Sequence, residues 1–174
     1  MAPQTFSQLL GTLKDDGMIT IVAGEGQETY KVQRALLINA SPWFGKALGG
    51  GFKESQDRTL RFPGVREEVV QAFVAWLFQY SLPLNDLVEA AEEEDIEDDD
   101  EWVQEEMRLV VRLWAFGEQY MLPRLQNAAM RELYKRVRYV YPDIDIIKEA
   151  YECSPPKSTL RKLMMRDSGG RLEL

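Results

Sequence analysis

The sequence predicts an α+β fold, in which a small three-stranded sheet is combined with a cluster of helices and a C-terminal helical extension. Two short β-branched runs, 18–23 and 29–32, are separated by glycines, a pattern typical of a β-hairpin. A third short run, 59–62, ends at Pro63-Gly64 and predicts a returning strand. Elsewhere apolar residues recur at intervals of three and four, which is the spacing of helices.

Two short helices are expected between the second and third strands. Residues 34–39 are apolar on more than one side, which predicts a short buried helix. Ser41 is a favoured helix N-cap and Pro42 a favoured first-turn residue, so a second helix begins here. The glycines at 49–51 predict its end, because glycine adopts the left-handed conformation without a Cβ penalty.

Longer helices are expected after the third strand. Residues 65–80 are apolar on nearly all sides and predict a helix at the centre of the domain. Residues 107–122 and 123–137 predict a helical hairpin, with Pro123 opening its second helix. Two shorter amphipathic segments follow, and they predict a C-terminal helical extension over 140–174.

The segment before the first strand, 1–16, predicts a short amphipathic helix. Its apolar residues recur at i, i+3, i+4 and i+7 and share one face. These residues are Phe6, Leu9, Leu10 and Leu13. The face can be buried on the chain's own core or against a second copy of the chain, and the residue pattern alone does not favour either.

The composition excludes several classes of function. The chain has 174 residues, one cysteine and no histidine. It therefore lacks the commonest general base and metal ligand, and we expect no catalytic residue, metal or other cofactor. No apolar run approaches the ~20 residues that span a bilayer, so no membrane partner is expected. The single Cys153 suits the reducing conditions of the cytoplasm or nucleus.

Most of the negative charge lies in one segment, 85–106, which we call the acidic insertion. The formal net charge is −8, but residues 86–106 contain 13 Asp or Glu and no Lys or Arg, against 16 acidic and 21 basic residues elsewhere. Like charges oppose compact folding, which favours a solvated loop. An alternative is a docking loop for a basic partner, with Ile96 and Trp102 as apolar anchors. Calcium binding is disfavoured because the run lacks EF-hand spacing.

A basic cluster, 135–138, follows the helical hairpin and is interleaved with tyrosines. Such a mixture can bind nucleic acid. However, a helix C-terminus also favours cations, and the cluster is equally suited to contact the acidic insertion. We favour these two structural interpretations and expect no nucleic-acid partner.

Several motifs together resemble a BTB/POZ domain, particularly of the fungal kind. They are ITIVAG, ETYKVQRALLINASPWFGKAL, GGGFKES and TLRFP, then VVQAFVAWLFQYSLP and LWAFGEQYMLPRLQNAAMREL. The resemblance assigns 17–139 to a BTB/POZ core that carries the acidic insertion. In one departure, Gln33 followed by Arg34 stands where family members often have a histidine.

The resemblance implies binding rather than catalysis. It predicts a non-enzymatic, intracellular protein–protein interaction and oligomerisation module, with the helix at 1–16 contributing to a homodimer interface. The alternative is a substrate adaptor that docks a cullin scaffold of a ubiquitin ligase. Cullin-binding relatives often carry hydrophobic-x-Glu after the helix at 65–80, and Leu87-Val88-Glu89 matches that pattern. Leu87 and Glu89 are therefore the candidate cullin-docking residues.

Overall fold

A computed structural model describes residues 17–24, 28–49, 57–85 and 101–167. These residues form seven helices and one three-stranded mixed sheet, which confirms the α+β fold class and is compatible with a BTB fold. The chain divides into two compact units. Of the described residues, the first unit contains 17–80 and 120–122, and the second contains 81–119 and 123–167.

The sheet belongs to the first unit. Strands β1 (Met18–Ala23) and β2 (Glu28–Gln33) pair antiparallel, which confirms the hairpin. Strand β3 (Thr59–Arg61) pairs parallel with β1, so β1 is the central strand and the order is β2-β1-β3. A parallel partner needs a crossover connection. Two helices lie in that connection, as the sequence predicted.

Helices α1 (Arg34–Ala40) and α2 (Pro42–Gly49) meet at Ser41. The Ser41 hydroxyl accepts a hydrogen bond from the backbone N–H of Trp43 at 3.0 Å, which is the predicted capping contact. It also donates to the backbone carbonyl of Tyr120 at 2.5 Å. One buried side chain therefore starts a helix and holds a distant segment of the same unit.

Helix α3 (Glu67–Gln79) carries seven buried apolar residues, more than any other described element of the first unit. Tyr80 ends the helix in the left-handed conformation, with φ of 55°, and its N–H donates to the carbonyl of Trp76 at 2.7 Å. A non-glycine residue is uncommon in this conformation. The sequence pattern located the end of the helix but did not indicate this cap.

Four helices make up most of the second unit. They are α4 (Glu101–Gln119), α5 (Pro123–Arg136), α6 (Ile144–Glu152) and α7 (Thr159–Asp167). Helix α4 packs against α5 and α6, and α6 packs against α7. Residues 144–167 thus belong to the same unit as the helical hairpin. The division of the chain into a core at 17–139 and an extension at 140–174 stays a prediction.

Helix α4 begins earlier than the sequence analysis placed it. It starts at Glu101 rather than at residue 107, so residues 101–106 of the acidic insertion are helical. Val103, Gln104 and Met107 are buried at helical spacing, and their burial extends the helix toward its N-terminus. The neighbouring acidic residues obscured this short apolar face in the sequence.

Candidate interaction surfaces

Most of the site residues named from the sequence lie outside the described residues. This applies to the proposed dimer residues, the proposed cullin-docking pair and one anchor of the acidic insertion. They are Phe6, Leu9, Leu10, Leu13, Leu87, Glu89 and Ile96. Their roles remain predictions from the sequence.

Trp102 is described, and it is the second residue of helix α4. Its side chain is partly buried rather than fully exposed. Trp102 is therefore not a loop residue, and any contact that it makes with a partner would be made from a helix.

Arg136 is the centre of a buried charge network at the end of helix α5. Its side chain is 0% exposed, and its guanidinium contacts Glu106 at 2.6 Å and Glu132 at 2.8 Å. Burial favours the neutral form of Glu132 and alone would raise its pKa. The hydrogen bonds from Lys135 and Arg136 outweigh burial, so the pKa of Glu132 is lowered.

The same network joins the two ends of the acidic insertion. Arg136 donates to the backbone carbonyl of Asn85 at 3.1 Å. The backbone N–H and side-chain amide of Asn85 donate to Glu106 at 2.8 and 2.9 Å. Asn85 and Glu106, the first and last residues of the acidic insertion, are thus hydrogen-bonded to each other in the second unit.

Arg136 belongs to the basic cluster at 135–138, and it is the buried member of that cluster. Arg136 contacts an acidic residue of the insertion, as one of the two structural interpretations expected, but it does so in the interior. The sequence contained a signal that was missed. Arg136 follows Leu125, Ala129 and Leu133 along the apolar face of α5, and it lies four residues after Glu132.

A second buried polar residue, Gln104, fixes the segment between α5 and α6. Its amide donates to the carbonyl of Tyr141 at 2.7 Å and accepts from the N–H of Asp143 at 3.0 Å. Arg112 and Glu149 add an ion pair between α4 and α6 at 2.6 Å. These contacts hold Tyr141 and its neighbours in place on the surface.

Helix α3 ends in two exposed aromatic side chains. Phe78 is 57% exposed and Tyr80 is 58% exposed, and Met121 is also exposed. Large aromatic side chains lose little conformational entropy on binding and are enriched at protein interfaces. Phe78 and Tyr80 come shortly before the predicted cullin-docking residues in the chain.

Two observations on the described residues concern metal binding and thiol reactivity. No group of three or more Cys, Asp or Glu in the described ranges is arranged to hold a metal ion. Cys153 is partly buried, and burial together with nearby Glu149 raises the pKa of its thiol to about 11. At neutral pH it is therefore a protonated, weakly reactive thiol.

One open cleft of about 310 Å³ lies in the first unit. It is lined by Gly17, Ile19, Arg34, Leu48, Gly49 and Arg58. Arg34 donates to the carbonyl of Leu48 at 3.3 Å, which ties this cleft wall to the end of helix α2. The arginine has a structural role at that position.

The chain matches part of a known BTB-containing protein. No protein-family model matches the chain. Kelch-like protein 9 of Mus musculus, which has a BTB domain, is 33% identical over 95 residues. The aligned region covers 51% of this chain but only 15% of that protein. The match is consistent with a BTB-type domain, whereas the comparisons give no support for the fungal kind. In the described part of the chain, none of the helices has the length and apolarity to cross a membrane.

Proposed function

We propose that this chain is a non-catalytic protein–protein interaction module of the BTB type. The observation that carries the proposal is the partial match to Kelch-like protein 9, read together with a compatible α+β fold. The exposed aromatic residues at the end of α3 fit a binding role. The half-buried, protonated Cys153 offers no activated nucleophile.

Self-association is part of the proposal. A short amphipathic helix is marginal in water unless its apolar face is buried, and the helix predicted at 1–16 would carry four large side chains on that face. Each contributes about 1.5–3 kcal/mol when fully buried. Two such faces packed about a two-fold axis are sufficient for a stable homodimer after the entropy of association is subtracted.

The alternative is an adaptor that docks a cullin scaffold. Its support is the hydrophobic-x-Glu pattern at Leu87-Val88-Glu89, together with the exposure of Phe78 at the end of the preceding helix. Apolar side chains at the centre of an interface contribute most of the affinity. Under this alternative, Phe78 and Leu87 would contact the partner directly.

Affinity capture from a native extract tests the proposal and distinguishes a general interaction module from a cullin-docking adaptor. The intact chain is compared with Leu87→Ala/Glu89→Ala, with Phe78→Ala and with Ile144→Ala, an exposed apolar control on α6. If the chain is a cullin adaptor, cullin is captured by the intact chain and by the Ile144 variant. It is not captured by the Leu87/Glu89 double variant or by the Phe78 variant. Capture of other proteins without cullin would leave only the general interaction module. No specific capture by the intact chain would contradict the proposal.

A further inference from the structure

The outward face of helix α5 carries four cations and one tyrosine, which together we call the basic stripe. The stripe consists of Arg124, Arg131, Tyr134, Lys135 and Arg138. Their spacing places them on one side of the helix, and all are exposed. Arg138 follows the last helical residue, but hydrogen bonds such as Arg138 N–H to the Lys135 carbonyl continue the helical path.

The cations of α5 differ in whether they have an acidic partner. Arg136 is buried between two carboxylates, and Lys135 pairs with Glu132 at 2.9 Å. Arg124, Arg131 and Arg138 make no ion pair with any residue in the described ranges. Three arginines are thus left facing solvent in a protein whose formal net charge is −8.

Helix stability does not explain these arginines. Cations stabilise the last turn of a helix, where they interact with the negative end of its dipole. Arg124 is the second residue of α5, at the end where a cation is unfavourable, and Arg131 lies in the middle. The helix-terminus interpretation of the basic cluster therefore accounts for Lys135 but not for Arg124 or Arg131.

Aromatic side chains lie among the cations. Tyr134 is 54% exposed, and the guanidinium of Arg138 lies 6.0 Å from its ring centroid. Tyr139, which follows the stripe, is also exposed. Arginine and tyrosine are among the residues enriched at protein interfaces, where they combine apolar contact area with directed hydrogen bonds.

We propose that the basic stripe is a docking site for an acidic segment of a partner protein. Arg131 and Arg138 pair with carboxylates of the segment, and Tyr134 contacts the apolar parts of its side chains. Charge complementarity carries the proposal, because the stripe is cationic on a chain that is acidic as a whole. The 13 acidic residues of 86–106 also repel an extended polyanion such as nucleic acid, whereas a short acidic segment contacts the stripe alone. The site lies in the second unit and depends neither on the homodimer nor on cullin docking.

Fluorescence anisotropy with a labelled peptide tests the proposal. The probe is a short peptide of Glu and Asp with one Tyr, and its control has Gln and Asn in their place. The peptide is titrated with the intact chain, with Arg131→Glu/Arg138→Glu and with Lys46→Glu/Arg61→Glu, which makes the same charge change at two exposed positions of the first unit. We expect the first double variant to weaken binding about tenfold or more, and the second to change it less than about threefold.

Two further binding experiments identify what binds to the basic stripe. A variant lacking residues 89–100 removes most of the chain's own acidic insertion, and a single-stranded oligonucleotide replaces the peptide. Stripe-dependent binding to the intact chain, tighter for the peptide than for the oligonucleotide, supports the proposal. Peptide binding that appears only in the deletion variant would assign the stripe to the chain's own insertion and overturn it. Tighter binding of the oligonucleotide, or equal loss in both double variants, would overturn it as well.

A folding control keeps the result interpretable. Arg131→Gln/Arg138→Gln removes the charges without introducing acidic groups on the helix. Because these arginines have no acidic partner in the described part of the chain, its melting temperature should match that of the intact chain. Weakened peptide binding by this variant, with unchanged melting, supports the proposal, and unchanged binding contradicts it.

Discussion

The interiors of the two compact units of this protein are stabilised by different interactions. In the first unit, Phe44 lies at the centre of an aromatic cluster, with its ring 5.8 Å from Phe73 and 6.3 Å from Tyr120. In the second unit, the fully buried Arg136 is held between Glu106 and Glu132. Aromatic packing distributes its stabilisation over many contacts, whereas a buried charge depends on every one of its few partners. The second unit should therefore be more sensitive to a single substitution.

The largest expected effect follows from removing the buried cation. Arg136→Ala leaves Glu106 and Glu132 without their main partner, and breaking a buried ion pair in this way typically costs about 3–5 kcal/mol. Urea unfolding followed by circular dichroism measures the loss. Arg131→Ala is the matched control on the same helix, because it is exposed and makes no ion pair in the described ranges; it should change the free energy of unfolding by less than about 0.5 kcal/mol. Similar values for the two variants would contradict the role of Arg136.

A smaller effect is expected from altering the aromatic cluster. Phe44 is completely buried, but Phe44→Leu keeps an apolar side chain and allows its neighbours to adjust. We expect a loss of about 1–2 kcal/mol in the free energy of unfolding. The same urea experiment measures it. A loss larger than that of Arg136→Ala would reverse the proposed difference between the two units.

The hydrogen bonds of the Ser41 hydroxyl should contribute less to the free energy of unfolding than the packing of Phe44 does. Ser41→Ala removes the cap of α2 and the hydrogen bond to the Tyr120 carbonyl. The expected loss is about 1 kcal/mol, and it is smaller if water reaches the freed carbonyl. Ser41→Thr is the control, since it retains a hydroxyl, and it should recover part of the stability. If Ser41→Ala melts at the temperature of the intact chain, the contact with Tyr120 is unimportant.

The acid dependence of stability gives the smallest effect and concerns Glu132. The folded protein holds its pKa below the usual value of 4.5, so the carboxylate form is favoured by folding. Its contribution is present at neutral pH and is lost as the pH falls through the lowered pKa. Thermal melts therefore measure the difference in melting temperature between the intact chain and Glu132→Gln. We expect that difference to shrink as the pH decreases. Glu152→Gln, at an exposed position, is the control and should differ little from the intact chain at any pH.

Much of the fold could be predicted from the sequence, because it rests on local signals. Glycines between β-branched runs indicated the hairpin, and Ser41-Pro42 indicated the start of a helix. The parallel pairing of β3 with β1 and the burial of Arg136 depend on residues far apart in the chain, which periodicity does not reveal. The start of α4 was misplaced because acidic residues surround its first buried positions. Most of the predicted binding residues lie outside the described residues, and their roles remain hypotheses.

The most direct test of the account is whether this chain binds a second copy of itself. Sedimentation equilibrium at micromolar concentration compares the intact chain with Leu9→Asp/Leu13→Asp, and with Ile144→Asp as an exposed apolar control. We predict a dimer for the intact chain and the control, and a monomer for the double variant. A monomeric intact chain would contradict self-association, and a dimeric double variant would contradict the interface proposed for residues 1–16.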